Sequence, residues 1–504
     1  MRLRRYAIGA AAVVILAWSA IALAQNMVER ETRALLDAWV KSPPEPFTTF
    51  KYGEVRFDLT QRRLTIDNVE LSGDPDTPRV TIESVGIVDP QPFALDNVIN
   101  PARYKDGKGQ GDFAQVASLM QFRSIKVEAK DGETTIAAIG VGAVSLKQFE
   151  VAPTEENLSE GPSKTIGIIA PGIRVAEVVI NSMQHKHATR PEGMSIARVT
   201  VKGLDAGRLT EAKIEDLRAI DGGKDAVTIG SILLAGVDLT KALPDMAAGR
   251  PVSSTDPARK PHYDRWELLA LGGASLADHG FSMGRMGAEV TRSADGMSER
   301  TTFRIEGIQL AAPAKADSPV AMVLSGLKYP ALKGEIACLS DSDNARKSFK
   351  MEPCAFSIPG AGTLSFTMSL SGLDLSAASG LDNAAAFLEA LATASFDWVR
   401  IVYKDEGLTN RAIAFAAQSQ GAPEAAFRQG MVAQIQQGGA VYGAGSPRVQ
   451  AVVNAVATFL SRPGTLTVSL EPSAPVPFGS LDAGMMADIP GAAERIGLTG
   501  RHSP

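Results

Sequence analysis

The sequence predicts a mainly β fold with added α: an N-terminal transmembrane helix, an elongated twisted antiparallel β-sheet with strand repeats, and a helical C-terminal cap. Three observations predict it. Residues 7–24 carry no charge for eighteen residues and follow three arginines at positions 2, 4 and 5. From about residue 50, apolar side chains recur at alternate positions. After about residue 376 the apolar spacing lengthens to three and four, the period of a helix.

An apolar run of this length belongs in a bilayer or an export channel. It lies at the short end of the roughly 17–25 residues that span a bilayer. It exceeds the roughly 7–15 residues of a signal core. Ala22-Leu23-Ala24 before Gln25 also fits a small-x-small cleavage site, so a signal peptide is the alternative to an anchor. The anchor is favoured because residues 26–41 continue as a helix. Leu35, Leu36, Trp39 and Val40 share one face there, with Arg30, Arg33 and Asp37 elsewhere. The positive-inside rule keeps Arg2, Arg4 and Arg5 on the cytoplasmic side and exports the body. The expected organisation is an anchor or signal over 1–25, a juxtamembrane helix over 26–45, a β-rich repeat body over 46–375 and an α+β region over 376–504.

The body opens with a hairpin. Val55, Phe57 and Leu59 alternate with Glu54, Arg56 and Asp58, and Thr60–Arg63 is turn-like. Leu64 and Ile66 alternate with Thr65 and Asp67, followed by Val69 and Leu71. Val80, Ile82, Val85 and Ile87 add a strand. Ile125 and Val127 lead to Asp131-Gly132, read as a two-residue turn. Further strands are expected near 196–201, 227–234, 303–310 and 364–375. Four of them end in a related phrase centred on Gly203, Gly236, Gly307 and Gly372, suggesting one reused unit of strand and glycine bulge.

Further on, the expectations are a helix over 382–394, strands over 396–404 and 411–418 about an Asp405-Glu406-Gly407 turn, and a helix over 423–437. Ser446-Pro447 is a helix start, with serine as N-cap and proline at the first turn. Arg462-Pro463-Gly464 ends that helix, and 465–470 returns to strand.

Composition narrows the function. The 504 residues hold 51 basic and 56 acidic side chains, for a net charge of −5, which argues against a nucleic-acid partner. The two cysteines, Cys338 and Cys354, flank a polar segment that reads as a hairpin tip. In an oxidising compartment they are expected to form a disulfide. His185-Lys186-His187 could place two imidazoles on one strand face, but two ligands do not make a metal site. Ser325-Gly-Leu-Lys328 matches a Ser-x-x-Lys pattern without its companion motifs. Asp341-Ser-Asp343-Asn344 lacks the register of a calcium loop. No catalytic residue, metal or cofactor is assigned, and the expectation is a protein that is not an enzyme.

The opening, from the basic N-terminus through Tyr52-Gly53-Glu54-Val55-Arg56-Phe57-Asp58-Leu59 and Arg63-Leu64-Thr65-Ile66-Asp67-Asn68-Val69-Glu70-Leu71, resembles that of bacterial AsmA-like envelope proteins. The resemblance covers residues 1–90 well, is diffuse through the repeats and is lost in the helical third. It implies a long curved sheet with an apolar inner face, linked to lipid movement or outer-membrane homeostasis. The expected location is then the bacterial inner membrane, single-pass through 7–24, with the body in the periplasm. Cleavage after Ala24 would instead leave a soluble periplasmic protein. The expected role is a tethered scaffold that binds phospholipid acyl chains on strand faces, with Val55, Phe57, Leu64, Ile66, Val80 and Ile82 as contact residues. The alternatives are an adaptor for other envelope proteins without lipid and, ranked lower, an exported hydrolase.

Overall fold

The computed structural model describes residues 28–44, 46–58, 60–91, 112–147, 161–250, 261–294, 296–312, 319–374, 390–443, 445–481 and 488–504. The apolar run at 7–24 and most of the helix expected over 382–394 lie outside these residues. Among the described residues, no helix is long and apolar enough to cross a membrane. Strand accounts for 52% and helix for 25% of the structure. The chain forms two compact units that divide between residues 253 and 267.

The first unit begins with helix α1 (Val28–Lys41). It buries Thr32 and Leu36, four residues apart, against the strands that follow. Strands β1 (Thr49–Lys51) and β2 (Val55–Asp58) both pair with β3 (Arg63–Ser72). From β3 the chain runs as an antiparallel meander through β4 (Arg79–Val88), β5 (Ala114–Ala129) and β6 (Gly132–Leu146). Helix α2 (Pro162–Ile169) precedes β7 (Ile173–His187). The meander then continues through β8 (Gly193–Asp205), β9 (Arg208–Asp221) and β10 (Lys224–Asp238). Helix α3 (Leu243–Ala247) follows, and its Leu243 and Met246 pack with Ala242, Ala170 and Leu239.

One turn differs from the sequence reading by a residue. Ala129 pairs with Gly132, so Lys130-Asp131 form the turn and Gly132 opens β6. Gly132 is needed for a different reason. A Cβ there would sit 2.2 Å from the Lys186 carbonyl oxygen on β7.

Within the second unit, β11 (Arg265–Gly272, begun in the first) and helix α4 (Ala274–Ala277) precede a second meander. It comprises β12 (Phe281–Arg292), β13 (Ser298–Ala311), helix α5 (Pro319–Gly326), β14 (Ala331–Asp343), β15 (Ser348–Ile358), β16 (Gly362–Ser371) and β17 (Ser395–Asp405). Helices α6 (Leu408–Ser419), α7 (Glu424–Gly443) and α8 (Pro447–Ser461) come next. Strands β18 (Thr465–Leu470) and β19 (Val476–Pro477) both pair with β17. Helix α9 (Ile489–Arg495) leads to β20 (Leu498–Ser503), which pairs with β18.

The strand expected over 411–418 is helix α6 instead. The Asp405 carboxylate accepts the backbone N–H groups of Gly407 at 3.0 Å and Thr409 at 2.8 Å, which supplies acceptors at the helix start. The segment that follows is rich in alanine, the best helix former, and buries Ile413 and Ala417 one turn apart. The start of α8 follows the sequence reading, since the Ser446 hydroxyl accepts from the Val449 N–H at 3.4 Å.

Candidate functional site

In an antiparallel ladder, directly opposed residues share a face. The register of the first unit therefore traces rows of side chains across the strands. One row runs Leu64, Ile87, Met120, Val141, Val178, Val201, Ala212, Leu234 from β3 to β10. The next runs Ile66, Val85, Phe122, Ile139, Ile180, Val199, Ile214, Ile232. A third runs Val69, Ile82, Ile125, Ile136, Met183, Ile196, Leu217, Ile229. One face of this sheet is thus apolar over eight consecutive strands.

Simple alternation would not produce these rows. On each strand the apolar residues step by three between the second and third rows, as in Ile66 to Val69 and Ile180 to Met183. The phase is reset at residues with positive φ on every second strand: Asn68 (51°), Ser124 (49°), Ser182 (50°) and Asp216 (54°). Asn and Asp tolerate this conformation better than most residues. A second set of resets uses the glycines of the repeated phrase. Gly203, Gly236, Gly307 and Gly372 have φ of 63°, 64°, 66° and 70°. The phrase therefore marks a recurring left-handed kink near strand ends.

The cover over this apolar face changes along the meander. At β1–β5 it is buried in one core that Leu36 of α1 joins. Leu36 is buried with Phe50, Leu64, Ile66, Val69, Leu71, Val80, Ile82, Val85, Ile87 and Phe122, and Trp39 meets Phe50 edge-on at 5.4 Å. Side chains of α1 also satisfy the outer edge of β2. Arg33 donates to the Val55 carbonyl at 2.6 Å, and the Glu29 carboxylate accepts from the Phe57 N–H at 3.1 Å. The Tyr52 hydroxyl donates to Asp37 at 2.5 Å. Burial, together with that bond and the Asp37 charge, pushes the Tyr52 phenol up to about 12. Farther along the rows, Val141, Ile139, Val178, Ile180, Val199 and Ile214 are only half-buried.

The six contact residues expected from the sequence are gathered in one place, at the covered end. Val55, Leu64, Ile66, Val80 and Ile82 are at most 2% exposed within the core, and Phe57 packs against it. They begin the apolar rows, but they lie in or against the closed core that Leu36 of α1 joins. The half-buried continuation on β6–β10 was not singled out from the sequence. Its signal was the three-residue step in otherwise alternating strands.

The opposite face is polar and laced with ion pairs. Lys126 bridges Glu128 at 2.6 Å and Glu133 at 3.0 Å. The bond to Lys126 holds the Glu128 carboxyl below its ordinary range. Lys213 does the same for Glu215, and Lys202 pairs with Glu211 at 3.2 Å.

The second unit repeats the two-faced design. One row runs Met286, Ile305, Ile336, Phe356, Leu364, Tyr403, Leu466 from β12 to β18. Its neighbour runs Ala288, Phe303, Cys338, Cys354, Phe366, Ile401, Val468. Cys338 and Cys354 are opposed in register and joined by a disulfide. Helix α8 covers the rows near β18 and β20, where Phe459 meets Tyr403 at 5.7 Å and His502 at 6.3 Å. Ala390, Ala394 and Phe478 pack over Leu370 and Phe396. Elsewhere along the rows, Phe356 is 39%, Leu364 46% and Ile401 41% exposed.

The remaining motifs have local partners. His185 Nδ1 lies 3.0 Å from the Thr134 hydroxyl, and His187 Nδ1 accepts from the Thr189 N–H. Among the described residues, no group of three or more His, Cys, Asp or Glu side chains is placed to hold a metal ion. Ser325 and Lys328 form the turn that ends α5, with the Lys328 N–H donating to the Ser325 carbonyl. Asp341 pairs with Arg300 at 2.7 Å.

A family model described as an uncharacterized protein matches residues 355–502, from the end of β15 into β20. No curated protein matches the chain.

Proposed function

We propose that this protein is a membrane-tethered envelope scaffold that binds phospholipid acyl chains along the uncovered part of its apolar sheet face. One observation carries the reading. The same rows that form a closed core with Leu36 of α1 continue, equally apolar, over β6–β10, where all but the buried Ile196 are half-buried. A soluble body gains nothing from leaving such a surface in water, and large exposed apolar patches mark interaction sites.

The dimensions suit a lipid chain. Seven residues separate Leu64 from Leu71, so the apolar band is about 23 Å wide at roughly 3.3 Å per residue. One leaflet of hydrocarbon is about 15 Å, half of a core about 30 Å thick. Burial of each methylene contributes about 0.8 kcal/mol, so a single chain lying across the band binds appreciably. The ion-paired face stays in water. The segment at 7–24 tethers the body to the inner membrane, with the body in the periplasm. The contact surface in this reading is not the six residues at the covered end but Ile139, Ile180, Val199 and Ile214 farther along.

The test is mass spectrometry of lipid extracted from the purified full-length chain and from an Ile180→Glu/Ile214→Glu variant with unchanged circular dichroism. Co-purified phospholipid in the parent, reduced at least tenfold in the variant, is expected. A parent that carries no lipid but retains a stoichiometric envelope protein would replace this reading with the adaptor.

A further inference from the structure

The polar face of the first unit carries a cavity of about 450 Å³, lined by Arg56 and Asp58 of β2, Arg63, Thr65 and Asp67 of β3, Ser84 of β4, Arg123 of β5, and Gln61. The charges in it are not equivalent. Arg56 is committed to Asp67 at 2.6 Å. Asp58 is committed to the turn, accepting the N–H groups of Thr60 at 2.8 Å and Gln61 at 3.0 Å. Among the described residues, Arg63 has no carboxylate partner. Its guanidinium lies across β4 and donates to the Gln121 side chain at 2.9 Å. Gly86 makes that path available, because a Cβ there would stand 2.6 Å from Arg63 Nη2. Arg123 is exposed, and no ion pair to it occurs among the described residues.

A guanidinium has five N–H donors in a planar fork. Arg63 spends one on Gln121 and is held in place by packing on a glycine. Positioned donors bind at lower entropic cost than a free side chain, and an arginine fork matches the oxygens of phosphate or carboxylate. The hydroxyls of Thr65 and Ser84 share the cavity and can donate to the same oxygens. The two carboxylates that could compete are already neutralised or hydrogen-bonded.

We propose that Arg63 and Arg123, with the hydroxyls of Thr65 and Ser84, form a binding site for a phosphate-type oxyanion. The site is on the face opposite the apolar rows and is independent of acyl-chain binding. The oxyanion can come from a free phosphate or from a phospholipid headgroup.

Calorimetric titration of the full-length protein with inorganic phosphate, and separately with glycerol 3-phosphate as a headgroup probe, tests this. Saturable binding of either ligand is expected, weakened at least about tenfold by Arg63→Gln and again by Arg123→Gln, as for loss of a charge-assisted hydrogen bond. Phosphate binding on its own identifies a free-anion site. Preference for glycerol 3-phosphate identifies a headgroup site. Gly86→Ala should weaken binding while leaving both arginines in the chain, and an unchanged melting midpoint for Arg123→Gln shows that the loss is not unfolding. Absence of binding for both ligands, or equal binding by the Arg63→Gln/Arg123→Gln variant, would overturn the proposal.

Discussion

Tyr52 shows how one side chain ties α1 to the sheet. Its phenol donates to Asp37, and the fold holds its pKa at about 12 against an ordinary 10.0. The fold therefore favours the protonated form. Its contribution is complete below the unfolded value near 10 and is lost as pH rises toward 12. Melting temperatures measured from pH 8 to pH 12 should fall more steeply for the parent than for Tyr52→Phe. Identical slopes would mean that this bond does not hold the helix. At the same scale, Gly203, Gly236, Gly307 and Gly372 share one left-handed conformation that costs an L-residue about 1–2 kcal/mol. The phrase around them recurs because this conformation favours glycine, and the neighbouring letters follow the strand.

Among the elements, α1 and the hairpin of β14 and β15 are the most instructive. Helix α1 both roofs the first apolar rows and satisfies the outward backbone of β2 through Glu29 and Arg33. An edge strand is thereby kept from pairing with another chain. The hairpin is closed by the Cys338–Cys354 disulfide, 16 residues apart in sequence. A loop of that size gains about 3 kcal/mol in the chain-entropy model. A Cys338→Ala/Cys354→Ala variant should lose about that much stability. Hydrogen exchange should show the loss first in β14 and β15, with β3–β5 unaffected. Equal exchange throughout would show that the bridge is not stabilising this hairpin.

Over the whole molecule, both units build a sheet with one apolar and one polar face, and in both some apolar side chains of the rows are buried while others are half-buried or exposed. In the acyl-chain reading, each unit presents its own surface. Ile180→Glu in the first and Leu364→Glu in the second should then each remove part of the bound phospholipid, and the pair should remove most of it. Quantified lipid per protein checks this. Full retention in Leu364→Glu would confine lipid to the first unit.

The β-rich character, the paired strands from residue 50 onward, the start of α8 at Ser446 and the reuse of a glycine-centred strand end are all legible in the amino-acid order. These are local properties, set by side-chain period, capping chemistry and backbone conformation. The sequence reading misplaced 411–418 as strand because alternating Ala, Ile and Phe fit either period, and the Asp405 contacts to Gly407 and Thr409 decided for helix. It also could not say which apolar residues stay covered. Val55, Leu64, Ile66, Val80 and Ile82 look no different in sequence from Ile139, Ile180 and Ile214. Their burial differs in the folded chain: the first five are at most 2% exposed in the core that Leu36 of α1 joins, whereas Ile139, Ile180 and Ile214 are half-buried. The oxyanion site was equally hidden: Arg63, Gly86 and Gln121 are far apart in the chain, and only the register of β3, β4 and β5 lays the guanidinium across the glycine.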